Sequence, residues 1–105
     1  MKLGDVVIDE FPFTNLAQTK IRPAIVVATT DDFYNDVILC LISSVVPPKL
    51  SPREVALNPS TENGLRVPSI IKAYRIATIH QSKILSKIGT LSNDKLRNLL
   101  LHSGY

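Results

Sequence analysis

The sequence predicts a mainly β domain, a small closed barrel finished by a single α-helix. Short runs rich in Val and Ile recur along the chain, separated by loops carrying Pro, Asn, Asp or Ser. Helical periodicity with capping residues appears only near the end, after Leu91. At 105 residues the chain is long enough for one core and too short for two, so 1–105 is read as a single domain. Closing short strands into a barrel removes exposed edges.

Strands are expected at 5–10, 23–29, 37–43, 53–57, 69–73, 76–80 and 86–90. The first follows Gly4 and runs Asp5-Val6-Val7-Ile8-Asp9 until the aromatic pair of Phe11-Pro12-Phe13-Thr14 breaks it. The second begins at Pro23, whose locked φ and missing N–H suit the first residue of a strand and not its middle. The third is the apolar run Val37 to Ile42, closing on Ser43-Ser44. For the helix, Ser92 is a good N-cap, Asp94 suits the first turn, Leu96, Leu99 and Leu100 form the apolar stripe, and Gly104 can end it. No long apolar span and no signal-peptide pattern is present, which points to a cytoplasmic chain without membrane attachment.

Several chemistries find no support in the residues. Cys40 lies inside an apolar run and reads as a small buried hydrophobe. Asp31, Asp32 and Asp36 lack the alternating ligands, glycine and closing Glu of a hard-cation loop, and His80 and His102 have no partners at zinc spacing, so no metal or other cofactor is expected. There is no Gly-x-Ser-x-Gly elbow. The charge is uneven: residues 1–48 hold three Lys/Arg against six Asp/Glu, about −3, and residues 49–105 hold nine against three, about +6. A basic half attracts phosphate backbones and acidic peptides alike.

The most informative stretch is Lys20-Ile21-Arg22-Pro23-Ala24-Ile25. Proline restricts Arg22 to an extended backbone, which holds a permanent cation on rigid scaffold at the mouth of a buried strand. The natural partner of such a guanidinium is an anion, whether a phosphate or a nearby carboxylate such as Asp9 or Glu10.

Five pieces in order resemble the MazF/PemK-like toxin family, the small ribonucleases of toxin–antitoxin pairs. They are the Gly4-Asp5 start, the Phe11-Pro12-Phe13-Thr14 turn, Lys20-Ile21-Arg22-Pro23, the strand end Ile42-Ser43, and Ile88-Gly89-Thr90-Leu91 before the last helix. The resemblance spans nearly the whole chain. It implies an SH3-like barrel that pairs as a homodimer, a single-stranded RNA substrate, and a cognate acidic antitoxin. It also implies metal-independent cleavage to a 2′,3′-cyclic phosphate and a 5′-hydroxyl. Arg22 and Ser43 fall on the family's active-site Arg and strand-end Thr/Ser, while Thr14, Lys20, Lys72, Tyr74 and Arg75 are the expected substrate contacts. A strand-end hydroxyl such as that of Ser43 can equally satisfy local backbone.

One departure bears on the chemistry. Many relatives carry Arg-x-Asp where this chain has Lys72-Ala73-Tyr74, and the PemK branch adds a His in the first loop, where 15–20 here contains none. Lys72 neutralises phosphate without a bidentate fork. Strand alternation puts Tyr74 on the same face, where it can stack on a base or simply pack. His80 aligns where relatives often carry an Asp outside the site. Two other classes therefore remain open: a CcdB-like toxin that poisons a protein such as DNA gyrase, and a catalytically decayed relative that only binds RNA or antitoxin.

Overall fold

The computed structural model describes residues 1–11, 20–30 and 33–103. Six strands, β1 (Asp5–Phe11), β2 (Lys20–Thr29), β3 (Asp36–Ser43), β4 (Glu54–Leu57), β5 (Ser69–His80) and β6 (Ile84–Thr90), precede the helix α1 (Asn93–Ser103). They form one antiparallel sheet in the order β4-β5-β3-β2-β1-β6, with a short 3₁₀ turn at Gln81–Lys83 between the last two strands. Among the described residues no helix is long and apolar enough to cross a membrane.

Alternation along the strands gives each face of the sheet its own core. Val6, Ile25, Cys40, Ile42 and Ile71 belong to one apolar cluster, which Leu99 of α1 completes. Val7, Ala24, Val26, Leu39 and Leu41 form the other. A strand buried on both faces reads as a continuous apolar run, as β3 does, because water is excluded from either side. Ser92 caps α1 by accepting the Lys95 N–H at 3.3 Å. The helix seats Leu99 fully and Leu96 partly, but Leu100 stands 50 % exposed on the flank, so the buried stripe is narrower than the predicted one. Gly104 lies outside the described residues.

Two strands differ from the prediction by more than a shift of one or two residues at an end. The segments 69–73 and 76–80 are one strand, β5, interrupted by a bulge. Leu41 pairs with Lys72 and the preceding Cys40 with Ile76, so Ala73, Tyr74 and Arg75 are extra residues on the β5 side. The Ala73 N–H donates to the Arg53 carbonyl at 3.0 Å, which anchors the bulge to the β4 side. β2 begins at Lys20, three residues before Pro23. Proline is tolerated there because β3 pairs with β2 only from Ala24 onward, opposite Leu41, while β1 accompanies β2 along its whole upper half.

The sheet leaves β4 and β6 as its edges, and the β4–β5 connection bridges them. The Thr90 N–H donates to the Glu62 carbonyl at 2.8 Å. Gly64 (φ +72°) and Gly89 allow the backbones to touch: a Cβ on Gly64 would fall on the Ile88 carbonyl, and one on Gly89 on the Glu62 carbonyl. Asn63, buried, braces the loop by accepting the N–H groups of Ser60 and Leu65 and donating to the Asn58 carbonyl at 2.8 Å.

Two carboxylates are buried in β1, and they differ sharply. Asp5 accepts the Lys2 N–H at 2.9 Å and pairs with Lys87 at 3.3 Å. Asp9 is fully buried and neither of its oxygens has a hydrogen-bond partner. Burial disfavours the charged form and pushes its carboxyl from an ordinary 3.8 up to about 6.

Two stability predictions follow from this fold. Gly64→Ala combines a left-handed backbone with a backbone collision and should lower unfolding stability by roughly 2 to 4 kcal/mol, read as a shifted urea midpoint; an unchanged midpoint would show that the closure is dispensable. Because the folded state prefers protonated Asp9, its destabilising contribution is absent below pH 4, develops as pH rises, and is complete above pH 6. Wild type should therefore lose stability relative to Asp9→Asn across that window, by on the order of 3 kcal/mol at most. Parallel stability–pH curves for the two proteins would remove Asp9 as the cause.

Candidate active site

Where β3 stops accompanying β2, the sheet opens into a cavity of about 650 Å³. Its apolar wall comes from strand residues of the first core face and its neighbours, including Ile8, Ile21, Pro23, Ile42 and Ile88. The opposite wall is the segment Gly64 to Val67, held in place by the glycine closure onto β6. Arg22 and Arg66 both border this space, from β2 and from the β4–β5 loop, with Ser44 and Ser69 between the apolar groups. Two arginines and a serine at the border of an apolar space suit a ligand with a negatively charged backbone and a less polar body.

Arg22 thus stands where its sequence position indicated, half-buried at the cavity rim. It sits directly opposite Asp9 in the β1–β2 register, on the same face of the sheet. The pairing with Asp9 that sequence alone offered is absent, since both carboxylate oxygens lack hydrogen-bond partners. Ser43 is not among the residues bordering the cavity. It is buried, and its hydroxyl accepts the Val45 N–H at 3.1 Å, the local backbone role open to it from the start. Ser44, one residue on and exposed, borders the cavity in its stead.

The other expected contacts form a separate group or fall outside view. Lys72 pairs in register with Glu54 of β4, and Tyr74 donates its hydroxyl to Glu54 at 3.2 Å. Lys72 and Tyr74 both act on Glu54, as the alternation that sets them on one face requires. Glu54 also accepts the Ser51 N–H at 2.8 Å; that bond first, with the Tyr74 hydroxyl and the Lys72 charge assisting, holds its carboxyl below the usual range. Desolvation and then the Glu54 carboxylate push the Tyr74 phenol up. Tyr74 remains 46 % exposed and Arg75 is exposed beside it, so this group lies open on the β4–β5 side and does not border the cavity. Lys20 opens β2 opposite Phe11, but its side chain, like the whole of Thr14, lies outside the described residues. His80 accepts the Ser82 N–H at 3.1 Å and caps the 3₁₀ turn at the far end of β5. Arg66 was not singled out by sequence, because a lone Arg in a polar loop carries no periodic or motif signal; its proximity to Gly64, at the loop's point of closure, is the cue that was available.

Comparison with known proteins bears on the fold and the family. No curated protein matches the chain in sequence. Among solved structures, a Mycobacterium tuberculosis toxin, MazF-mt6, superposes with a TM-score of 0.73 at 22 % identity, over 95 % of this chain and 92 % of its own. An endoribonuclease in complex with its cognate antitoxin from a mycobacterial species gives 0.74 at 14 % identity, over 98 % and 90 %. MazF from Deinococcus radiodurans gives 0.70 at 20 % identity, over 96 % and 89 %. At these identities the likeness establishes the fold. The sequence model for PemK-like, MazF-like toxins of type II toxin–antitoxin systems matches residues 2–102. With that match over nearly the whole chain, and with the strand order and terminal helix shared with MazF structures, the chain belongs to the PemK-like, MazF-like toxin family.

Proposed function

We propose that the chain, as one toxin domain over 1–105, is an endoribonuclease that cleaves single-stranded RNA at preferred sequences and leaves 2′,3′-cyclic phosphate and 5′-hydroxyl ends. The observation that carries this reading is the placement of Arg22 on rigid strand at the rim of a cavity that Arg66 and Ser44 also border. In this chemistry the substrate's own 2′-hydroxyl is the nucleophile. The protein must align it with the scissile phosphorus, stabilise charge on the equatorial oxygens and move two protons, and none of these tasks requires a metal.

Arg22 supplies charge to the phosphate. Ser44, exposed at the cavity, offers a hydroxyl to a phosphate oxygen, and Ser43 braces the turn beside it through the Val45 N–H. Lys72, Tyr74 and Arg75, with Thr14 and Lys20, extend the contact along the strand, Tyr74 offering a ring to a base. The domain works in the cytoplasm as a homodimer, and an acidic antitoxin masks the basic surface; the antitoxin complex of the mycobacterial endoribonuclease supports a partner of that kind.

The test is incubation of purified, antitoxin-free protein with long mixed-sequence RNA in EDTA, beside Arg22→Ala. Recurrent cuts with cyclic phosphate ends are expected, falling about 100- to 1,000-fold in the variant while its thermal melt is retained. Intact RNA from folded wild type would instead support a binding-only relative or a toxin with a protein target. Arg66→Ala should weaken RNA binding at every sequence and reduce the slope of log affinity against log salt by about one. An unaltered salt slope would take Arg66 out of contact with phosphate.

A further inference from the structure

Glu54 is built into the sheet more firmly than an exposed ion pair requires. It stands in β4 directly opposite Lys72; one carboxylate oxygen accepts the Ser51 N–H at 2.8 Å and the other accepts the Tyr74 hydroxyl at 3.2 Å. Tyr74 is fixed in turn by the β5 bulge, whose Ala73 N–H is tied to the Arg53 carbonyl at 3.0 Å. The Ser51 N–H first, then the Tyr74 hydroxyl and the Lys72 charge, keep the Glu54 carboxyl below its usual range, so at neutral pH it is ionised and purely an acceptor. Its two oxygens carry about four lone-pair positions, so the carboxylate can accept further N–H groups. The Tyr74 ring is 46 % exposed, and Arg53 and Arg75, both exposed, follow the pair along β4 and β5.

Register runs Glu54, Lys72, Leu41, Ala24 across β4, β5, β3 and β2, and Arg22 lies two residues before Ala24, so alternation sets Glu54, Lys72 and Arg22 on one face of the sheet. Three strand spacings separate β4 from β2, about 14 Å, which a few nucleotides of single strand span. A ring with an acceptor at its tip and cations alongside suits a nucleobase: the ring stacks on the base, the cations hold its backbone, and the carboxylate meets its polar edge. Among the RNA bases only guanine offers two neighbouring donors, N1–H and the N2 amine, to the two oxygens of a carboxylate. Adenine and cytosine set an acceptor nitrogen beside their amine, and uracil flanks its N–H with carbonyls, so each turns a lone pair toward the carboxylate. We propose that Glu54 and Tyr74 determine base specificity, the Tyr74 ring stacking on one guanine of the RNA and Glu54 accepting its N1–H and N2 amine. RNA as the ligand comes from the ribonuclease reading; the choice of base comes from the β4–β5 geometry.

The probes are fluorescent 2′-fluoro uridine octamers, which lack the nucleophile for cleavage, with one central residue changed to guanosine, inosine, adenosine or cytidine. Binding is read by anisotropy at fixed salt. Wild type should hold the guanosine probe roughly 5- to 100-fold more tightly than the adenosine or cytidine probe, and inosine, which lacks the N2 amine, should fall between. Glu54→Gln replaces one acceptor oxygen by an amide donor and so complements an amine beside a ring acceptor; the ratio of guanosine to adenosine affinity should invert. The variant also loses a negative charge and binds every probe more tightly, which the ratio cancels. Tyr74→Leu should weaken the guanosine probe by a factor similar to that of the wild-type preference. The wild-type comparison of guanosine with inosine needs no variant and serves if Glu54→Gln does not fold. Equal wild-type affinity for the guanosine and adenosine probes, or a guanosine preference kept in folded Glu54→Gln, overturns the proposal and leaves the ribonuclease reading standing. Folded wild type that binds none of the probes overturns the ribonuclease reading and the base assignment with it.

Discussion

A β-strand can be paired on both sides only where it has N–H groups to give, and β2 has one residue that cannot give any. At Pro23 the ladder with β1 continues, opposite Ile8, while the ladder with β3 starts one residue later at Ala24. Everything about the site depends on this asymmetry. Below Pro23 the strands part, the apolar side chains of Ile21, Ile42 and Ile88 line a space that further pairing would have filled, and Arg22 is left at its rim. Had β3 continued along β2, the same residues would have made a longer sheet with no cavity.

That opening would be only a frayed corner without the wall on its far side. The wall depends on contact between main chains, since the β4–β5 loop meets β6 through Gly64, Gly89 and the Glu62–Thr90 hydrogen bond. The two features cooperate. One withdraws a ladder, and the other supplies a substitute edge for β6 at a distance that leaves room for a ligand. The charged groups then occupy two separate neighbourhoods: the arginines at the cavity, and the Lys72–Glu54–Tyr74 group on the β4 side, where the carboxylate accepts the phenol and faces the lysine in register.

Much of this was legible in the chain. The Val/Ile runs and their punctuation located the strands, and Ser92 marked the helix start, because each is a local matter of period and capping. Arg22 was legible for the same reason, as Arg-Pro restricts its own backbone. What sequence could not reveal depends on partners distant along the chain. The union of 69–73 with 76–80 hinges on β3 accepting three extra residues between Cys40 and Leu41, a register decision with no signature in β5 itself. That Ser44 and not Ser43 borders the cavity turns on a single step of strand alternation, which carries successive residues to opposite faces. Asp9 read as a possible carboxylate partner for Arg22, and its solitude appears only in the folded sheet.

The glycine closure has a consequence for how such a domain can diversify. Because the loop is fastened by main-chain atoms, its fit to β6 does not depend on which side chains follow. Arg66 and Val67, exposed, border the cavity just after Gly64, while Leu65 packs against the core and the residues that fasten the loop lie elsewhere. Mutation can therefore rewrite the ligand-facing wall without loosening its fastening. A lineage under pressure to recognise a new target has here a short, rigidly mounted panel that it can replace at little risk to folding.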